Sequence, residues 1–227
     1  VSLYNETNGE AIYPTPIIGV VGVLEDASRV VARAFRAEGD EIVLLGENFG
    51  ELGGSEYLKV VHQIVKGQPP QLNLNRERAL IAIVTRAAAE GLVRSAHDCS
   101  DGGVAVTLAE CAFDSGGIGL VVDVPVAAAL PADSGPRTPD PDSAIALMAI
   151  LFGESASRVV LSARPEDRAR LLAMAAEAGV PAQVIGRTGG ARLEINVAGR
   201  PVIDCGLAET ELVWAGAIER HFAGRAA

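Results

Sequence analysis

Aromatic residues make up only 4% of the 227 residues, so a core here must be built from Ala, Val, Leu and Ile. Positive charge is scarce. Nineteen Lys and Arg face 29 Asp and Glu, giving a formal net charge of −10. Binding along a nucleic-acid backbone needs basic side chains that neutralise phosphates, and this balance argues against that role. Cysteine is sparse too. Cys99, Cys111 and Cys205 are odd in number, widely spaced and without a CxxC pair, which excludes a disulfide framework or a structural zinc site and fits buried thiols in a reducing cytoplasm. No apolar run reaches the roughly 18 residues of a membrane span, and no signal peptide is visible. The three histidines, His62, His97 and His221, have no metal-ligand spacing. His97 and Asp98 are neighbours in an expected strand and should point to opposite faces. No Ser-His-Asp or Cys-His constellation can be argued.

What is present is an ample supply of aliphatic residues, 49% hydrophobic overall, in a mixed order of strand and helix patterns. This points to an α/β fold, a mixed sheet with helices packed on it. Ile17 to Leu24, IIGVVGVL, follows the rigid Tyr13-Pro14-Thr15-Pro16 and predicts a buried strand. Glu38-Gly39-Asp40 predicts a turn and Glu41 to Leu45 a second strand. The Gly-rich stretch from Gly46 to Gly54 predicts a loop that turns sharply or approaches a ligand. A helix is expected from about Ser55 to Val65, broken by Gln68-Pro69-Pro70. A long helix is expected from Asn75, with Asn75 as its cap and Glu77 at the positive end of its dipole. Leu80, Ile83, Val84, Ala87 and Ala88 form its apolar stripe, and Gly91 supplies a left-handed stop. A further helix opens at Arg164-Pro165-Glu166-Asp167 and stops at Gly179. Ala182–Gly186, Arg192–Val197 and Pro201–Asp204 read as strands, and the Pro-, Ala- and Asp-rich stretch 124–142 as a surface loop.

Three segments carry candidate chemistry. Ser95-Ala96-His97-Asp98-Cys99-Ser100-Asp101-Gly102-Gly103 leads from a strand into an amphipathic helix with Ala105, Leu108, Ala109 and Ala112 on its apolar face. Asp98 stands at the strand's end, Ser100 or Asp101 can cap the helix, and Gly102 and Gly103 let the backbone come close to a ligand. Helix N-terminal amides attract phosphate, and a carboxylate beside them can hold a bridging Mg²⁺. The same spacing fits a capped connection with a structural glycine pair. Phe152-Gly153-Glu154-Ser155-Ala156-Ser157-Arg158 joins a helix to a strand at Val159–Leu161. It offers Glu154 as a second metal ligand and Ser155 as a hydrogen-bonding hydroxyl, or else is an ordinary polar turn. Val1-Ser2-Leu3-Tyr4-Asn5-Glu6-Thr7 concentrates polar residues beside two apolar ones, or is a frayed terminus.

VSLYNET, PTPIIGVVGVLED, GDEIVLLGE, LGGSEYLK, SAHDCSDGGVAVTLAE and FGESASR stand in an order that resembles the phosphoribosylformylglycinamidine synthase family, in particular its small-type synthetase subunit. The DCSDGG turn is shared with the wider superfamily of aminoimidazole ribonucleotide synthetase, selenophosphate synthetase and thiamine-monophosphate kinase. The resemblance implies the end of a second A-type, synthetase N-terminal-like domain over residues 1–37. A second B-type domain, like the C-terminal domain of aminoimidazole ribonucleotide synthetase, then covers 38–227. It implies that the chain is a fragment of an ATP-dependent ligase of purine synthesis without the catalytic half. ATP and Mg²⁺ would be co-substrate and cofactor, and formylglycinamide ribonucleotide the substrate. A glutaminase subunit and a small bridging subunit would be partners, with no nucleic acid and no membrane, in the cytoplasm. No catalytic residue would lie in this chain. Ser2 would contact substrate. Asp98, Gly102, Gly103 and Ser155 would form an auxiliary nucleotide or phosphate site, with Asp98 and Glu154 as its metal ligands. A fragment of a sibling enzyme of the same fold, or a non-catalytic scaffold completing a partner's active site, are the alternatives.

Overall fold

The computed structural model describes residues 5–12, 17–126 and 144–223. They fall into two compact units, one spanning 1–30 and the other 31–227.

In the first unit, strands β1 (Glu6–Thr7) and β2 (Glu10–Ala11) pair antiparallel. Asn8 and Gly9 turn the chain between them with φ of 54° and 80°. Two consecutive positive φ values give the turn whose twist matches a hairpin, and Asn-Gly tolerates them best. Asp26 caps a single 3₁₀ turn over Ala27–Arg29. The expected buried strand at Ile17 to Leu24 is not formed. These residues lie in no strand, and Ile17, Val21 and Val23 are more than 90% exposed. An apolar run encodes burial, but a strand also needs a partner's N–H and C=O groups, and no strand pairing among the described residues includes the run.

The second unit is a seven-stranded sheet in the order β4-β6-β3-β7-β5-β8-β9. Its strands are β3 (Glu41–Leu45), β4 (Ser95–Asp98), β5 (Leu120–Val124), β6 (Val159–Ala163), β7 (Ala182–Thr188), β8 (Arg192–Val197) and β9 (Arg200–Gly206). All pairings are antiparallel except β5 with β8. β3 is central and buried along its whole length. Alternation splits it between two cores. Ile42 and Leu44 face a layer that holds α3 (Gly103–Ala112) and α4 (Ala144–Phe152). Val43 and Leu45 face a layer of α2 (Leu74–Ala89) and α5 (Arg168–Glu177). Helices α6 (Leu207–Ala215) and α7 (Ala217–Ala223) follow β9, and Leu207 anchors them in the first core.

The predicted helix after the Gly-rich loop is present as α1 (Glu56–His62), capped by Ser55 and stopped at Gln63. The cap of α2 is Asn73, not Asn75. The Asn73 side chain accepts from the amides of Asn75 and Arg76, two and three residues on, the reach of an N-cap. Leu80, Ile83 and Ala87 form its buried stripe, while Ala88 and Val84 are half-buried. Gly91 and Gly179 adopt φ of 72° and 67° as expected for helix stops. β5, with its burial alternating inward and outward, is a strand that the sequence pattern left unassigned. Of the stretch 124–142, residues 127–142 lie outside the described residues, as do Ser2 and Tyr13-Pro14-Thr15-Pro16.

Candidate functional site

The residues singled out in the sequence, Ser2 apart, converge at one end of the sheet. Asp98 pairs with Val159, Val159 with Leu45, and Leu45 with Ala182. Because β3 runs against β6 and β7, the loop after β3 and the loops before β6 and β7 emerge at the same end. The turn after β4 joins them there.

Asp98 is the most open of the candidates, its side chain 69% exposed. Its Oδ2 accepts from the Ser100 hydroxyl, and this bond, ahead of all other influences, holds its carboxyl below the ordinary value. His97 Nδ1 lies 3.3 Å from Asp98 Oδ1, and His97 Nε2 2.8 Å from Glu110 Oε2 on α3. The two neighbours therefore touch. Strict alternation lapses where β4 ends and the chain turns toward α3. Neither Ser100 nor Asp101 caps α3. Its N-cap is Gly102, in the left-handed region at φ 79°, with no side-chain cap bond. Thr107 instead ties the first turn down, its hydroxyl donating to Gly103 O at 3.0 Å.

Gly103 is required by packing. At φ 66°, a Cβ there would stand 2.5 Å from Gly153 O and 2.9 Å from Leu151 O. The close approach is to the last turn of α4 and the chain that follows it. That same chain holds Glu154 and Ser155. Glu154 Oε1 accepts from the amides of Glu56 and Gly102, each at 2.9 Å. Ser155 is fully buried, and its Oγ accepts from Phe49 N at 3.1 Å. Glu154 N donates to Glu51 O. Asn48, buried, donates from Nδ2 to Ile150 O at 2.7 Å and accepts from Gly50 N. The Gly-rich loop is thus stitched along its length to the α4–β6 connection. Asn48 belongs to this framework although nothing in its local sequence marks it.

Beneath the connection lies Arg158, 2% exposed. Nε donates to Ser155 O at 2.8 Å and Nη2 to Gly153 O at 2.7 Å, while Nη1 is buried with no partner. Burial lowers its pKa, and the Glu51 and Glu154 carboxylates oppose that. Cys99 and Cys111 are free, buried thiols whose pKa burial raises. On the opposite layer, the same sheet end opens a cavity of about 210 Å³ lined by Gly46, Glu47, Phe49, Arg76, Ser157 and Pro181. The Arg76 guanidinium lies 5.2 Å from the Phe49 ring centroid there.

Mg²⁺ needs only one or two carboxylates when phosphate supplies further oxygens. The open Asp98 carboxylate fits that requirement. Among the described residues, no group of three His, Cys, Asp or Glu side chains is placed to cage a metal by itself. Among the described residues, too, no helix is long and apolar enough to cross a membrane.

Residues 37–197 match the family described as AIR synthase related protein, C-terminal domain. Over 214 residues, the chain is 44% identical to the phosphoribosylformylglycinamidine synthase subunit PurL of Moorella thermoacetica, matching 94% of this chain and 27% of that protein. The same-named subunit of Caldanaerobacter subterraneus subsp. tengcongensis is 43% identical over 219 residues, again 27% of its length. The chain thus spans about a quarter of the curated relatives it matches. Among solved structures, T. maritima PurL complexed with FGAR superposes with a TM-score of 0.64 at 18% identity, over 82% of this chain and 30% of that one. T. maritima PurL complexed with ADP gives 0.60 at 19% identity over 82% and 27%. These two likenesses speak to the fold.

Proposed function

This chain belongs to the AIR synthase related family, whose C-terminal domain it carries, and from that premise we propose that it is the C-terminal portion of a phosphoribosylformylglycinamidine synthase. The whole protein would convert formylglycinamide ribonucleotide, ATP and ammonia to formylglycinamidine ribonucleotide, ADP and phosphate. The observation that carries this reading is 44% identity maintained over 94% of the chain. ATP would phosphorylate the amide oxygen and ammonia would displace it, with Mg²⁺ neutralising the charge of the transfer. The catalytic groups would lie outside this chain, so the isolated chain is proposed to be inactive. A glutaminase subunit and a small bridging subunit are the proposed partners, in the cytoplasm. Ser2 is the proposed substrate contact.

Within the chain, we assign the β4–α3 turn to an auxiliary nucleotide or phosphate site. Asp98 would meet Mg²⁺. Gly102 and Gly103 would shape the backbone beside the phosphate, with Ser155 and Glu154 at its border. Support for Asp98 comes from its exposure and its lowered pKa, which keep it ionised at neutral pH. A second reading is favoured by one observation. Glu154 Oε1 and Ser155 Oγ are already engaged by main-chain amides, as a scaffold end of the sheet would require.

The reaction is tested by incubating the full-length protein that contains this chain with ATP, Mg²⁺, ammonia and formylglycinamide ribonucleotide. The expected result is ADP release that depends on both other substrates, with formylglycinamidine ribonucleotide identified by mass. ADP release independent of the ribonucleotide would refute it. Thermal melts with Mg-ADP separate the two readings of the sheet end. A shift in the wild-type chain that shrinks in Asp98→Asn supports the auxiliary site, and no shift in either supports the scaffold.

A further inference from the structure

His97 stands between two carboxylates. Its Nε2 lies 2.8 Å from Glu110 Oε2 on α3, and its Nδ1 lies 3.3 Å from Asp98 Oδ1 at the end of β4. An ionised carboxylate only accepts hydrogen bonds, so a ring nitrogen that meets one brings the hydrogen. The other oxygen of Asp98, Oδ2, accepts from the Ser100 hydroxyl. Both oxygens of this carboxylate are therefore engaged, although its side chain is 69% exposed. The groups behind it are far less open, His97 at 19% and Glu110 at 28%. The main chain there is fixed as well. Asp98 pairs with Val159 across β4 and β6, and its carbonyl accepts from the Thr107 hydroxyl on α3 at 3.3 Å. An exposed Asp left to itself samples several rotamers. Here an imidazole tied to a largely buried helix, and a hydroxyl two residues on, select one. Each carboxylate oxygen has two lone pairs, so one on each is left for a cation.

We infer that His97 is a positioning residue, seated by Glu110, that holds the Asp98 carboxylate ready for the Mg²⁺ of a bound nucleotide. The inference rests on the reading of the β4–α3 turn as an auxiliary nucleotide site, and it does not depend on the reaction proposed for the whole protein. His97 acts through Asp98 and contacts neither metal nor phosphate. Groups that hydrogen-bond a ligating carboxylate set its orientation in advance, and losing one weakens metal binding by about 10–100-fold. The competing role for His97 is a strut between β4 and α3. A strut needs only the Nε2 contact with Glu110, whereas positioning needs the Nδ1 contact with Asp98. The two roles use different ring nitrogens, and that separates them.

The test uses the full 227-residue chain with Mg-ADP as the probe, its Kd read by isothermal titration calorimetry and the ligand-free Tm read alongside. His97→Asn keeps an amide N–H near the place of Nδ1 and gives up the Glu110 contact. His97→Gln keeps one near the place of Nε2 and gives up the Asp98 contact. His97→Gln should bind Mg-ADP about 10–100-fold more weakly while its Tm stays near that of wild type. His97→Asn, whose shorter side chain needs no tether, should melt lower yet recover most of the affinity. Glu110→Ala tests the same point should a His97 variant not fold, because Ala suits a helix interior. It frees the ring and should weaken Mg-ADP binding, and a lower Tm with unchanged affinity would mark a strut and overturn the inference. Wild-type affinity in both His97 variants would overturn it too, and would leave Asp98 as the metal contact. So would equal weakening in both, or weakening that follows Tm. If wild type binds no Mg-ADP, or Asp98→Asn binds it as well as wild type does, the auxiliary-site reading falls and the inference falls with it.

Discussion

Replacing Gly103 by Ala separates two reasons for a glycine at the β4–α3 turn. Gly103 has φ 66°, and Gly91, at the end of α2, has φ 72°. The two therefore carry nearly the same conformational demand. Placing a side chain in the left-handed region costs about 1–2 kcal/mol, offset by about 0.4–1 kcal/mol because Ala restricts the unfolded chain more than Gly does. Gly91→Ala meets nothing within 4 Å, so it should cost about 1 kcal/mol. Gly103→Ala adds a Cβ at 2.5 Å from Gly153 O and 2.9 Å from Leu151 O, both main-chain atoms that cannot rotate away. Overpacking of this kind adds about 1–3 kcal/mol, so its total should be about 2–4 kcal/mol. Urea unfolding followed by far-UV circular dichroism measures both variants against the same wild type. Equal costs for the two variants would refute the packing role, and would return Gly103 to being a residue that merely leaves room for a ligand.

Two further expectations follow from particular side chains. Burial raises the Asp40 carboxyl above its ordinary value, against the pull of Arg94 and Arg164 and with some help from Glu166. A carboxyl whose folded pKa exceeds its unfolded value of about 3.9 contributes stability that is full below that value. The contribution is lost as pH rises through the folded pKa. The stability advantage of wild type over Asp40→Asn should therefore fall as pH is raised from about 4. Urea midpoints across that range check it, and an advantage that grows with pH would mean that the Arg94 ion pair at 3.0 Å outweighs desolvation. Ser2→Ala in the full-length protein should lower kcat/KM for formylglycinamide ribonucleotide by the equivalent of one hydrogen bond, about 0.5–1.5 kcal/mol. Steady-state kinetics with an unchanged Tm would show it, and unchanged kinetics would count against Ser2 as a substrate contact.

Much of the second unit was legible because its signals are local. A central strand buried on both faces writes itself as EIVLL, and the stops at Gly91 and Gly179 mark the ends of α2 and α5 through a conformation only glycine adopts cheaply. The Asn8-Gly9 turn was equally local and went unread because the flanking strands are two residues each. IIGVVGVL failed for a different reason. Its composition records a demand for burial, whereas strand formation depends on a pairing partner, and among the described residues none pairs with it. The candidate site was legible as a set of residues and not as a set of contacts. Asp98, Gly102, Gly103, Glu154 and Ser155 do gather at one sheet end. But Glu154 takes its amides from residues 52 and 98 positions away, and Ser155 takes one from 106 away. No spacing rule reaches that far, so residues suited to metal or nucleotide were indistinguishable from residues that stitch a loop. Arg158 was hidden in the same way, since only the folded chain reveals a guanidinium at 2% exposure.

The most direct test of the proposed function follows one oxygen atom. Formylglycinamide ribonucleotide labelled with ¹⁸O at the amide that becomes the amidine is turned over by the full-length protein with ATP, Mg²⁺ and ammonia. The inorganic phosphate is then analysed by ³¹P NMR. If ATP activates that oxygen, each phosphate released in turnover carries the ¹⁸O, and formylglycinamidine ribonucleotide accumulates in equal amount. Phosphate that acquires its oxygen from solvent, with the label still in unconverted ribonucleotide, would contradict the assignment of this chain to an amide-activating synthase.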